Sequence, residues 1–279
     1  MSTKERKLEH IDIVVNENVQ SRESTLLENV RLIHNPLPEH DLGHVDISKD
    51  FCGYILSAPL VITGITGGHP EAEKINDAIS KVVNKFNIAM GVGSQRAAIE
   101  NPDLVHSFSI VRENAPNAFL IANIGVAQLN KGYGIKEFTK AIDMIKANAI
   151  AIHVNPGQEA YQDEGDTDFS DLISKIEEIN DELNIPIIIK EVGNGLNKEI
   201  VKELRSIGIK CFDTAGLGGT DWIKTESIRS RKKHGIALKE PGKLADFWGN
   251  PTALAIIETR TSAPDSYIIG SGGIRDGLD

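Results

Sequence analysis

Seven short apolar runs, each ending in small or polar residues, most constrain what this chain can fold into. Residues 59–62 lead into Thr63-Gly64-Ile65-Thr66-Gly67-Gly68, 88–92 into Gly93-Ser94-Gln95-Arg96, and 119–122 into Asn123-Ile124-Gly125. Residues 149–152 precede His153, and 185–189 precede Lys190-Glu191-Val192-Gly193-Asn194-Gly195. The last two runs are 209–212, before Asp213-Thr214-Ala215-Gly216-Leu217-Gly218-Gly219-Thr220, and 267–269, before Gly270-Ser271-Gly272-Gly273-Ile274-Arg275. Between most of them, residues 71–86, 135–147, 169–183 and 197–207 carry apolar side chains at three- and four-residue spacing, the mark of amphipathic helices. Strand, loop and helix in alternation give a parallel sheet with helices outside, and near-continuous apolar strands give burial on both faces. Seven such units predict an α/β fold, a (β/α)8 TIM barrel rather than an open sheet. The eighth unit is expected beyond Asp279, so the barrel is read as C-terminally incomplete, with a partial polypeptide favoured over a natural seven-strand variant.

The 279 residues suffice for one large core, 40% hydrophobic and 25% charged residues are ordinary for a globular protein, and residues 59–279 are assigned to the barrel. Residues 1–58 form an extension before it. Within it, Val45-Asp46-Ile47 and Tyr54-Ile55-Leu56 alternate like a short hairpin closing the barrel's bottom, and a helix would bring Arg6, Lys7 and His10 to one side. A net charge of −10 argues against a nucleic-acid or anionic-membrane binder, so an anionic substrate has to meet a local cationic cluster. Cys52 and Cys211 are too few and too distant in sequence for a disulfide framework or zinc site, and read as core thiols in a reducing compartment. The first seven residues contain no apolar stretch of a signal peptide, and no apolar run reaches the ~20 residues of a membrane span. A cytoplasmic location is expected.

The segment His153-Val154-Asn155-Pro156-Gly157-Gln158-Glu159 holds the densest chemistry. Strand alternation points His153 and Asn155 the same way, and Pro156-Gly157 turns the chain. Gln158 and Glu159 are then left at a strand's carboxyl end, where barrel enzymes keep their active sites. One carboxylate beside neutral polar groups suits a magnesium ion held mostly by substrate phosphate and water. Taken alone, the segment is equally an ordinary strand-end loop.

Thr66-Gly67-Gly68, Gly91-Val92-Gly93-Ser94-Gln95-Arg96, Asn123-Ile124-Gly125, His153 to Glu159, Lys190-Glu191-Val192-Gly193 and Gly216-Leu217-Gly218-Gly219-Thr220 occur in this order, between Arg6-Lys7-Leu8-Glu9-His10 and Gly272-Gly273-Ile274-Arg275. With them the chain resembles the type 2 isopentenyl-diphosphate isomerases, flavoproteins of isoprenoid synthesis. The resemblance covers almost the whole chain. It implies an FMN-binding barrel, assembled into tetramers or larger homo-oligomers, that converts isopentenyl diphosphate to dimethylallyl diphosphate. It also implies reduced FMN and Mg2+ as cofactors, with NADPH as the flavin's reductant. Reduced flavin would act as acid and base without net redox change, because an alkene is too weak a base for an ordinary carboxylic acid.

Residue by residue, the resemblance implies that Gln158 and His153 are catalytic and that Glu159 holds the metal. Arg6, Lys7, Ser94, Gln95, Arg96, Asn155 and Gln158 would bind substrate. Gly64, Ile65, Thr66, Ser94, Asn123, Lys190, Thr220, Gly272, Gly273, Ile274 and Arg275 would bind FMN, with Lys190 at the pyrimidine edge of the flavin. The chain departs from the family pattern at Ile65, where Met is common, and at Ala215, where a small hydroxyl residue is frequent. The competing readings are another FMN-dependent barrel oxidoreductase and an inactive fragment.

Overall fold

A computed structural model describes residues 3–279, with the side chains of residues 3, 4, 243 and 244 left undescribed. Met1 and Ser2, the start of the segment read as lacking a leader, lie outside the described residues. Helix α1 (Thr3–Asn16) opens the chain and continues through Asp12, past the basic residues that were expected to share one side. An extended arm follows. It pairs with a later loop through Ser21 N donating to Gly219 O (2.8 Å) and Asp221 N donating to Val19 O (2.8 Å).

A hairpin, β1 (Lys49–Phe51) and β2 (Tyr54–Leu56), caps the barrel's bottom. Its first strand lies later than the expected 45–47. The two-residue turn Cys52-Gly53 has positive φ at both positions (53° and 81°), so Phe51 must pair with Tyr54 directly. Residues 46–48 close a local turn instead, with Ser48 N donating to Asp46 Oδ1 (2.8 Å).

The barrel sheet is parallel, with seven strands in sequence order: β3 (Val61–Ile62), β4 (Ala89–Gly91), β5 (Leu120–Gly125), β6 (Ala149–His153), β7 (Ile187–Lys190), β8 (Cys211–Asp213) and β9 (Tyr267–Ile269). The helices are α2 (Pro70–Phe86), α3 (Arg96–Glu100), α4 (His106–Asn114), α5 (Ile135–Ile145), α6 (Pro156–Tyr161), α7 (Leu172–Glu182), α8 (Lys198–Ser206), α9 (Trp222–His234) and α10 (Thr252–Ser262). This is an incomplete (β/α)8 barrel. No described helix is long and apolar enough to cross a membrane.

Strand alternation builds two cores. One set of side chains, including Val92, Leu120, Ile124, Ile152, Ile189 and Phe212, packs outward against the helices. The other, including Ala89, Ile121, Ala151, Ile188, Cys211 and Ile269, points into the barrel above Phe51 and Leu56 of the hairpin. Two residues beyond Ile121, Ala151, Ile188, Cys211 and Ile269 the inward side chain turns polar, giving Asn123, His153, Lys190, Asp213 and Ser271. These columns position the site.

Candidate active site

A cavity of about 480 Å3 opens at the carboxyl ends of the strands, within the roughly 300–1,000 Å3 typical of small-molecule sites. The loop after β3 contributes Gly64, Ile65 and Thr66, that after β4 contributes Ser94 and Arg96, and β5 contributes Asn123. His153, Asn155, Gln158 and Glu159 line it from β6 and α6, and Lys190 from the end of β7. Thr220 and Gly272 close the far side, and α1 lies across the opening with Arg6, Lys7 and His10 turned inward. The expected helical clustering of these basic residues therefore occurs over the cavity.

Four of the predicted residues sit elsewhere. Gln95 is fully buried in the wall, its Nε2 donating to Ala141 O (2.8 Å) and its Oε1 accepting from Asn123 N (2.9 Å). It shapes the site by holding β5, and its side chain does not line the cavity. Gly273 lies behind Gly219, whose added Cβ would come within 2.6 Å of Gly273 N. Ile274 is half exposed. Arg275 braces the loops, donating to Gly218 O (2.7 Å) and Gln20 Oε1 (3.1 Å). Gly273, Ile274 and Arg275 occupy a glycine-rich loop whose own packing uses Gly273 O and the Arg275 guanidinium.

The imidazole of His153 is fixed by Asn123. Asn123 Nδ2 donates to Val92 O (3.0 Å), so its Oδ1 accepts from His153 Nδ1 (2.8 Å), leaving Nε2 with its lone pair. Burial, reinforced by the positive charges of Lys190, Lys7 and Arg6, pushes the His153 pKa down to about 3. The resting imidazole is neutral. Gly125 leaves room for it, since a Cβ there would lie 2.8 Å from Nε2.

Gln158 is held at both ends. Its Oε1 accepts from Asn155 Nδ2 (3.0 Å), and its Nε2 donates to Glu226 Oε1 (3.0 Å). Glu226, on α9, also accepts from His10 Nε2 (2.8 Å) and from Arg229 Nε (2.7 Å). Burial opposes its charge, but His10 and Arg229 prevail and hold its pKa at about 2. Arg229 in turn reaches Glu164 (2.7 Å). Trp222, one turn before Glu226, lines the cavity and meets the His10 ring edge-on at 5.3 Å. Sequence reasoning missed Trp222 and Glu226. Their i, i+4 spacing behind the Asp221 cap was the available signal.

Glu159 sits next to Gln158. Its Oε1 accepts from Asn155 Nδ2 (3.1 Å) and its Oε2 from Asp166 N (2.7 Å), while burial raises its pKa. Asn155 Oδ1 and Thr66 Oγ1 have no hydrogen-bond partner although their residues are only 3% and 4% exposed. Buried acceptors left open inside a cavity are places for a ligand or cation. Among the described residues no cluster of three or more His, Cys, Asp or Glu side chains could hold a metal. A magnesium ion here would rest on Glu159, the Asn155 oxygen and oxygens brought by the ligand, a donor set this hard cation accepts.

Lys190 donates from Nζ to Glu191 O (2.8 Å) and lies beside Asp213 across β7 and β8. Glu191 locks the adjoining loop. Its Oε2 accepts from the backbone N–H of Val192 (2.7 Å), Gly193 (2.6 Å), Asn194 (2.5 Å) and Gly195 (3.0 Å). Arg6, Lys7, Arg96 and Lys190 line the cavity against the single carboxylate of Glu159. An acidic chain thus sets four cationic side chains around one cavity.

This arrangement defines a β/α-barrel enzyme with a cation-lined pocket at its strand ends. No family profile matches the chain. It is 58% identical over 277 residues to the isopentenyl-diphosphate delta-isomerase of Aeropyrum pernix, covering 99% of this chain and 73% of that protein. It is 49% identical over 280 residues to the Metallosphaera sedula enzyme of the same name (100% and 76%), and 41% identical over 280 residues to that of Methanococcoides burtonii (100% and 76%). Among solved structures, a flavocytochrome b2 variant with benzoylformate superposes with a TM-score of 0.58 at 17% identity, covering 94% of this chain and 64% of that one, which shows the shared barrel. The chain belongs to the isopentenyl-diphosphate delta-isomerase family and is an isomerase.

Proposed function

We propose that the cavity converts isopentenyl diphosphate to dimethylallyl diphosphate using reduced FMN and Mg2+, the type 2 form of the reaction. The observation that carries the reading is that Lys190, His153, Gln158 and Glu159, from two strands and one helix, share one pocket beneath the basic face of α1. Reduced FMN, when bound, supplies a proton-transfer site and an electron-rich ring face beside the five-carbon chain. Thr66, Asn123 and Lys190 would hold it, Lys190 by placing positive charge where an anionic ring collects electrons. NADPH is the reductant this reading takes.

Arg6 and Lys7 bind the diphosphate, and α1 shields the pocket from water. Glu159 and Asn155 Oδ1 present oxygens to the metal, and a cation there would reverse the burial that raises the Glu159 pKa. Gln158 positions the allylic carbons, its amide orientation fixed by ionised Glu226. A diphosphate near His153 would draw a proton onto its free Nε2 and make it a donor. Homo-oligomer formation belongs to the same reading, supported by Leu32 and Ile33, exposed at 95% and 97% on the extended arm.

The test is an anaerobic assay of dimethylallyl diphosphate with FMN, NADPH and Mg2+. Product is expected, with strong loss in Glu159→Gln. Product formation indifferent to flavin, or to both Mg2+ and Glu159→Gln, would reject the reading, as would oxidation of a hydroxy acid in its place.

A further inference from the structure

Two thiols expected to be independent core residues meet at the opposite end of the barrel. Cys52, in the hairpin turn, and Cys211, at the amino end of β8, place their sulfurs 3.3 Å apart although 159 positions separate them in sequence. Cys52 is half-buried, whereas Cys211 is buried in the inward layer with Ile188 and Ile269. Turn chemistry does not explain the first cysteine. Cys52 occupies the left-handed position (φ 53°) of a two-residue hairpin turn, where Asn, Asp or Gly is favoured.

We propose that Cys52 and Cys211 form a thiol–disulfide exchange site on the barrel floor, taking a low-molecular-weight disulfide as oxidant. Access sets the order of events. Cys52, the more accessible partner, attacks one sulfur of the small disulfide, forming a mixed disulfide and releasing one small thiol. Cys211 then attacks Cys52 Sγ, the Cys52–Cys211 bond forms, and the second small thiol leaves with the Cys211 proton. Two protein thiols are oxidised and one small disulfide is reduced to two thiols. The sulfur–sulfur hydrogen bond supports this order, since it holds the Cys52 thiol below the ordinary range and Cys211 above it. The product staples the bottom hairpin to β8 and closes a long loop, a link that restricts the unfolded chain.

The chain's two cysteines make the test simple. The purified chain is incubated with oxidised glutathione, and its free thiols, intact mass and Tm are measured. The expected result is a product of single-chain mass, two hydrogens lighter and without free thiols, whose Tm rises by several degrees and returns on reduction. Cys211→Ser should accumulate the glutathione adduct at Cys52, and Cys52→Ser should leave Cys211 unreacted in the folded chain. A chain that keeps both thiols, stops at the adduct with Cys211 present, or joins only to a second chain would overturn the proposal.

Discussion

The two ends of the barrel use the same inward-facing columns for opposite purposes. At the bottom, Ile121, Ala151, Ile188 and Ile269 pack with Phe119 against Phe51 of the hairpin, whose ring meets Phe119 edge-on at 5.2 Å. At the top, one strand repeat later, the columns present Asn123, His153, Lys190 and Ser271 to a cavity. The bottom satisfies itself. The top leaves buried acceptors unpartnered at Thr66 and Asn155 and crowds like charges at Arg6, Lys7 and Lys190. The stability the lower layer contributes lets the upper layer hold groups that are favourable only when a ligand is bound.

The sharpest way to break this division is a pair of substitutions. Phe119→Ala should destabilise the chain by about 3–5 kcal/mol in denaturant unfolding while leaving kcat of the folded fraction unchanged. Gln158→Ala should lower kcat by about a hundredfold with little change in Tm. If both substitutions moved both quantities alike, the two layers would not be separable.

Next in size is Lys7. Burial first, then neighbouring Arg6, lowers its pKa from 10.5 to about 8, against the opposing pull of Glu226. Its charge is therefore lost as pH rises through about 8, and the diphosphate KM should climb there. Lys7→Met should raise KM about tenfold at pH 7 and abolish that climb. Stability moves the other way. Between about pH 8 and 10.5 the unfolded chain binds the proton that the folded chain has released, so this residue's contribution to stability rises with pH.

His153 sharpens the acid side. Its folded pKa of about 3 lies below the model-peptide 6.5, so the unfolded chain takes up a proton that the folded chain refuses. This contribution to stability is present above pH 6.5 and is lost as pH falls towards 3. His153→Gln should flatten that part of the acid limb in pH-dependent unfolding. The smallest effect is expected at Thr66, whose hydroxyl is buried without a partner. Thr66→Val should leave the unliganded chain equally stable or more stable by about 1 kcal/mol, and weaken FMN binding several-fold in a fluorescence titration.

The strands were legible because burial on both faces makes their sequences continuously apolar, as in Ile187 to Ile189. Helix α9 was not. Thr225, Glu226, Ser227, Arg229 and Ser230 are all buried, so the helix has no apolar stripe to read. Glu226 escaped for a related reason. Its partners His10 and Gln158 lie 216 and 68 residues away, and only the fold brings them together. Gln95 shows the converse, a strand-end residue of the right type whose side chain turns into the wall. The nearness of Cys52 to Cys211 was hidden in the same way, since it depends on where the hairpin docks.

Hydrogen–deuterium exchange, with and without FMN and isopentenyl diphosphate, tests the division of labour most directly. Ligand protection should fall on α1 and on the loops at 64–66, 94–96, 123–125, 153–159 and 190–195, with the hairpin at 49–56 unchanged. Protection centred on the hairpin, or absent from the loops that carry His153 and Lys190, would contradict the account.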